Sequence, residues 1–211
     1  MNLHRAVHQA ASLLLEYPDA KWGGRRERVA EELAALPGEA PRLLLAFCRW
    51  AAGVPPLDLA AGYVTTFDRS RRRTLHLTHY TDGDTRRRGA SLAAIKARLR
   101  EHGWEPADGE LPDHLPALLE FAARCPAPGA ALLREHRPAL DLLAEALRAH
   151  RSPYLDVVDA VRTTLPAPPV KAPAPRREDP SAPQPAPGSH SRTHDLPYPL
   201  LHAPGDEGVR R

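Results

Sequence analysis

Several residue groups in this 211-residue chain have types and spacings that could do chemistry. His4 and His8 stand four apart, a spacing that puts two imidazoles on one helix face, where a third ligand would complete a metal site. No third ligand accompanies them, and exposed helix histidines account for the pair. His76 and His79 lie in a polar stretch with the same shortfall. Thr81-Asp82-Gly83-Asp84-Thr85 looks like the start of a calcium loop, but three arginines follow it. The twelfth position from Asp82 is Ala93, where a bidentate Glu is required, so a turn followed by a helix cap is the simpler reading. Asp156 and Asp159 fall on a helix surface and need no catalytic explanation. The two cysteines, Cys48 and Cys125, have no CxxC spacing and read as reduced thiols among helical residues. The chain contains no Gly-rich phosphate loop, HExxH or GxSxG pattern. The residues therefore point away from an enzyme and away from a metal or cofactor of its own.

Two groups suggest recognition instead. Arg69, Arg71, Arg72 and Arg73, with Arg86, Arg87 and Arg88, flank one loop and could hold an anion or a nucleotide. Asp68, Asp82 and Asp84 are near enough in sequence to neutralise them. Few aromatics lie near these clusters, and the domain is nearly balanced in charge, which argues against nucleic acid. The second group is Asp113 and Glu120 with Leu115, Leu118 and Leu119. Seven residues on a helix of 3.6 per turn return to within roughly 20°, so the two carboxylates would flank an apolar stripe. That arrangement suits a partner helix with basic and leucine faces. The other reading has Asp113 as a helix N-cap and the leucines as core.

Helices must position these residues. Apolar spacing predicts helices over 2–16 (Leu3, Val7, Ala10, Ala11, Leu14, Leu15), 25–36 (Val29, Leu33, Leu36) and 41–52, the last apolar nearly all round and so placed centrally. Pro18, Pro37-Gly38 and Gly53 separate them. A fourth helix opens at Pro55-Pro56 and runs through Phe67. A loop over 69–84 follows, anchored by Leu75 and Leu77. Asp84 or Thr85 caps a helix with a Leu92, Ile95, Leu99 stripe, closed by Gly103. Asp113 then caps a helix to Arg124, and segments over 129–136, 138–150 and 154–165 complete a bundle of about eight helices.

Composition agrees with this map. Residues 1–165 hold 27 Leu and 29 Ala against seven Val and one Ile, which fits an all-α domain. Twelve of the 24 prolines fall in 166–211, about one residue in four. That load cannot complete helix or sheet hydrogen bonding, so 166–211 reads as a disordered Pro-rich tail. The longest apolar runs are six residues, against the ~20 that span a bilayer. The N-terminus Met-Asn-Leu-His-Arg lacks an apolar signal region. The expected protein is cytoplasmic, with no stable membrane association, and a monomer or weak homodimer.

Two stretches carry a resemblance. The first is Tyr63-Val64-Thr65-Thr66-Phe67-Asp68, Leu75-His76-Leu77-Thr78-His79 and Gly83-Asp84-Thr85-Arg86-Arg87-Arg88-Gly89. The second is Glu110-Leu111-Pro112-Asp113-His114-Leu115-Pro116 with Leu119-Glu120-Phe121. Together they resemble the signatures of the NarJ-type nitrate reductase assembly chaperones, over roughly residues 1–165. The resemblance implies an all-helical redox-enzyme maturation fold. It also implies a chaperone that binds the N-terminal segment of the apo catalytic (alpha) subunit of respiratory nitrate reductase. The client would be held until bis-molybdopterin guanine dinucleotide is inserted, and the chaperone would not remain in the mature membrane enzyme. The chain departs from the family at Tyr80-Thr81-Asp82, where a more His-rich stretch is common, and at Ala90 and Ala117, where bulkier residues are.

With the resemblance, the peptide-contact residues become Asp113, His114, Leu115, Leu118 and Glu120, with Tyr63, Phe67 and the loop from His76 as the opposite wall. Met1 is the only methionine, so such a groove is built from Leu, Ala and aromatics, which favours a narrow client range. The competing reading is a helical adaptor that binds an anion or nucleotide through Arg86, Arg87 and Arg88.

Overall fold

The structure, a computed structural model, describes residues 2–106 and 109–166. They form α1 (Leu3–Leu14), α2 (Trp22–Ala34), α3 (Glu39–Ala52), α4 (Pro56–Tyr63), α5 (Thr78–Asp82), α6 (Arg86–Glu101), α7 (Leu115–Arg124), α8 (Pro126–Glu135), α9 (Arg137–Ala149) and α10 (Tyr154–Thr163). No β-strand occurs among the described residues, and the all-α reading holds. These ten helices are one more than the nine segments named in the sequence map, because 69–84 is not a plain loop. It folds a 3-10 turn at Arg71–Arg73 and the short α5. Its two apolar anchors, Leu75 and Leu77, are buried as expected.

The central helix is α7, not α3. Eight of the ten α7 residues are buried, and it packs chiefly on α1 and α8, while α10 packs on α3 and α9. Helix α3 buries Leu44, Phe47, Cys48 and Ala51 but leaves Arg49 and Trp50 exposed. Its all-round apolar sequence exceeds the one face the bundle covers. The approach of α8 to α7 is close: a Cβ on Gly129 would stand 2.3 Å from Ala122 Cα.

The fourth helix does not reach Phe67 as one α-helix. After Tyr63 it widens into a π-helical turn, Val64–Asp68, closed by the Arg69 N–H donating to Val64 O at 3.0 Å. This keeps Tyr63 and Phe67 both inward, with ring centroids 4.9 Å apart. They join Tyr154 and Phe47 in a buried aromatic cluster.

Helix α10 ends near the boundary read from the prolines. The Arg137 guanidinium donates to the carbonyls of Arg162, Leu165 and Pro166 at 3.1, 3.1 and 3.2 Å. The reading of 166–211 as a disordered tail lies, beyond Pro166, outside the described residues. No helix among the described residues is long and apolar enough to cross a membrane.

Candidate functional site

The two stretches of the sequence resemblance meet in space. Leu77 N–H donates to Asp113 O (3.1 Å), and Leu115 N–H donates to Leu75 O (2.9 Å), so a short antiparallel bridge ties the 75–77 segment to the start of α7. The second bond satisfies one of the N–H groups that a helix start leaves without an intrahelical partner.

Asp113 is the hub of this junction, and it does not cap α7. The helix begins at Leu115, the capping position falls to His114, and no side chain caps it. The Asp113 side chain is fully buried. Its carboxylate accepts from Thr78 N–H (3.2 Å), Thr78 Oγ1 (2.5 Å) and His76 Nδ1 (3.1 Å). Arg88 Nη2 lies 3.8 Å away, and Arg88 Nε donates to Thr78 Oγ1 at 3.2 Å. Burial alone raises the Asp113 carboxyl; the bonds from His76 and Thr78 outweigh it and hold the group below the usual carboxylate range. A buried charge is tolerated only with such partners.

The His76 and His114 rings lie 5.2 Å apart, and His114 Nδ1 donates to Glu110 at 2.6 Å. Burial is the main cause that pushes His114 below its ordinary value, with the Glu110 bond opposing it.

The structure therefore brings His76, Asp113, His114 and Arg88 together and separates the rest. Leu115, Leu118 and Leu119 are fully buried, so in this conformation they hold the core and offer no stripe to a partner. Glu120 is partly exposed and pairs with Arg124 at 2.8 Å; it does not flank a stripe with Asp113, because Asp113 precedes the helix. Tyr63 and Phe67 point into the aromatic cluster, and the Tyr63 hydroxyl donates to Leu15 O at 3.0 Å. Arg86 and Arg87 are exposed, while Arg88 turns inward. Arg71 and Arg88 share Asp84, at 3.1 and 3.9 Å, and Arg73 donates to Thr66 O at 2.9 Å, so part of the basic cluster is neutralised or structural. The histidine pair of α1 also splits. His4 is exposed, but His8 is buried and bonded to Thr164 Oγ1 at 2.8 Å. Among the described residues no three His, Cys, Asp or Glu side chains gather as a metal site.

Sequence reasoning missed a groove between α1 and α2. Ala6, Gln9, Ala10 and Leu13 form one face of α1; Arg25, Arg28, Val29, Glu32 and Leu33 form the facing side of α2. Both sets follow the i, i+3, i+4, i+7 pattern of a single helix face. They enclose about 340 Å³ over an apolar floor. Leu13, an apolar residue off the main α1 stripe, was the available signal.

An all-helical bundle is the class this fold defines. A crystal structure described as a redox enzyme maturation protein from Archaeoglobus fulgidus superposes with a TM-score of 0.58 at 21% identity, covering 76% of this chain and 92% of that one. The chain belongs to the nitrate reductase delta subunit family, whose model matches residues 30–159. It is similar to the nitrate reductase-like protein NarX of Mycobacterium tuberculosis, 41% identical over 75% of this chain but only 24% of that protein. The nitrate reductase molybdenum cofactor assembly chaperone NarJ of Escherichia coli is 37% identical over 70% of this chain and 64% of its own length. The protein named NarJ in Bacillus subtilis is 30% identical over 74% of this chain and 86% of its own. The chain thus spans about a quarter of the length of NarX and most of that of the Bacillus relative.

Proposed function

We propose that this chain is an assembly chaperone for nitrate reductase. It binds the N-terminal segment of the apo catalytic subunit, holds that subunit for molybdenum cofactor insertion, and leaves before membrane assembly. The observation that carries this reading is family membership together with relatives named as assembly chaperones. The groove between α1 and α2 supports it, because a chaperone needs an open apolar surface and the leucines of α7 are sealed. The chaperone does no chemistry and carries no cofactor of its own; the molybdenum cofactor is the client's cargo. Residues 1–165 hold the whole function, and the protein works in the cytoplasm.

In this reading Asp113, Tyr63, Phe67, Leu115 and Leu118 build the frame. His76, His114 and Glu120, at its half-exposed edge, are secondary contacts. The complex is transient, with an affinity near the micromolar range, about −8 kcal/mol. Calorimetric titration of the folded protein with the first twenty or so residues of its cognate catalytic subunit tests this. Saturable heat at micromolar concentration is expected, and its absence removes the proposal. Salt-sensitive binding of a nucleotide that is lost on replacing Arg86 and Arg87 by Ala, with no peptide binding, favours the anion-adaptor reading instead.

A further inference from the structure

We propose that the cleft between the 3-10 turn Arg71–Arg73, α5 and α9 binds an organic phosphate of nucleotide size, a ligand separate from the client and independent of the chaperone reading. Helix α9 packs beside both the turn and α5, and the cleft they leave measures about 590 Å³. That is the volume of a small-molecule site, whereas a stable protein interface takes about 800 Å² of each partner. Its two walls differ in character. The turn supplies Arg71, Arg72 and Arg73 to one. Leu142, Glu145, Ala146 and Ala149 form the other, at the i, i+3, i+4, i+7 spacing of one helix face. Leu142 is 48% exposed there, although Leu140, Leu143 and Leu147 of the same helix are fully buried.

The cationic wall is held in place but not neutralised. Asp84 pairs with Arg71 at 3.1 Å, while Arg72 and Arg73 form no ion pair among the described residues. Half-buried Arg73 donates from Nε to Thr66 O at 2.9 Å and from Nη2 to Thr65 O at 3.4 Å. These acceptors are neutral carbonyls of the π turn, so they fix the guanidinium and leave its charge unmatched. The Tyr80 hydroxyl donates to Thr74 O at 3.0 Å and lies 3.2 Å from Arg72 O, which pins the backbone that carries Arg72. Guanidinium groups without carboxylate partners suit a phosphate, whose oxygens accept paired N–H groups. Glu145 stands on the α9 wall and repels an anion from that side. The ligand is thereby oriented: its phosphate lies on the turn and its uncharged body along Leu142, Ala146 and Ala149. Arg86 and Arg87 do not line this cleft.

Calorimetric titration of the full chain with ADP, pyrophosphate and adenosine tests the cleft, with circular dichroism on each variant to confirm the fold. ADP is expected to bind, pyrophosphate more weakly and adenosine not at all, with the affinity for ADP falling as salt is raised. Arg72→Ala trims an exposed side chain and is expected to weaken ADP at least about ten-fold, the loss of one charge-assisted hydrogen bond. Glu145→Gln removes the opposing carboxylate and is expected to tighten ADP about three-fold. Arg86→Ala combined with Arg87→Ala, exposed but outside the cleft, is expected to change nothing. No binding of ADP to wild type overturns the proposal, as does binding that survives Arg72→Ala or is abolished by the Arg86 and Arg87 replacements. ADP that binds no tighter than pyrophosphate removes the organic body from the site. A single-stranded oligonucleotide that binds far more tightly than ADP overturns the small-molecule assignment.

Discussion

Replacing Asp113 separates a structural role from a binding role. In Asp113→Ala, the Thr78 N–H and hydroxyl lose their acceptor in a position where both residues are fully buried. A hydrogen bond to an ionised group contributes about 1.5–3 kcal/mol, so the Thr78 pair contributes about 3–6 kcal/mol. His76 and Arg88 have side chains 34% and 23% exposed, and solvent screening leaves them a small further share. Against a typical domain stability of about 5–15 kcal/mol, the loss is severe. Asp113→Asn keeps an oxygen for one Thr78 donor but turns an NH2 toward another, and is expected to cost about half as much. Urea unfolding followed by circular dichroism measures both, and peptide titration of folded Asp113→Asn measures function. An Asp113→Ala cost under about 1 kcal/mol refutes the hub. A folded Asp113→Asn that no longer binds the peptide restores Asp113 as a contact residue.

Three further outcomes are expected. The Thr164 hydroxyl donates to Val161 O at 2.6 Å and so accepts from His8 Nε2, and burial lowers His8 from 6.5 to about 4. His8 is neutral in the fold while the unfolded chain protonates below about pH 6.5. Stability is therefore lost as pH falls from that value toward 4, about 2 kcal/mol of it between pH 7 and 5. Urea midpoints of wild type and His8→Gln should converge over that window, and parallel pH profiles would count against the assignment. Gly129→Ala drives a methyl into the α7 backbone at 2.3 Å and should lower stability by about 3 kcal/mol or more, read as a depressed melting temperature. The Tyr154 hydroxyl is buried with no hydrogen-bond partner among the described residues. Tyr154→Phe should therefore raise stability by about 1 kcal/mol, and a lower urea midpoint would mean that the hydroxyl has a partner.

The helix map was legible because its punctuation is local. Pro18, Gly53 and Gly103 end segments for reasons contained in a few residues, and the Leu- and Ala-rich stripes between them follow one period. What stayed illegible depends on distant partners. His8 looks like a surface histidine until α10 brings Thr164 against it, 156 residues away. Asp113 has the sequence context of an N-cap, and nothing within its own helix shows that Thr78 and Arg88 will take its oxygens. The spacing from Asp113 to Glu120 was sound helical arithmetic applied to a residue that lies outside the helix. The π turn after Tyr63 has no simple period to read, although the aromatic pair it serves was recognisable.

The residues around Asp113 and those lining the α1–α2 groove differ in physical character. A buried carboxylate held by three residues is costly to assemble and leaves little freedom to vary. It fixes one arrangement of the 75–88 segment against α7. Asp113 and Thr78 are fully buried, so a substitution at either acts first on the fold. The groove has the opposite character: exposed charges on a rim and small apolar residues on a floor, which can change one at a time at little cost to the fold. Most of it, from Ala6 to Val29, lies before the residues the family model matches. In the proposed chaperone, Asp113 would anchor the frame, while the α1–α2 groove is an apolar surface left open beside it.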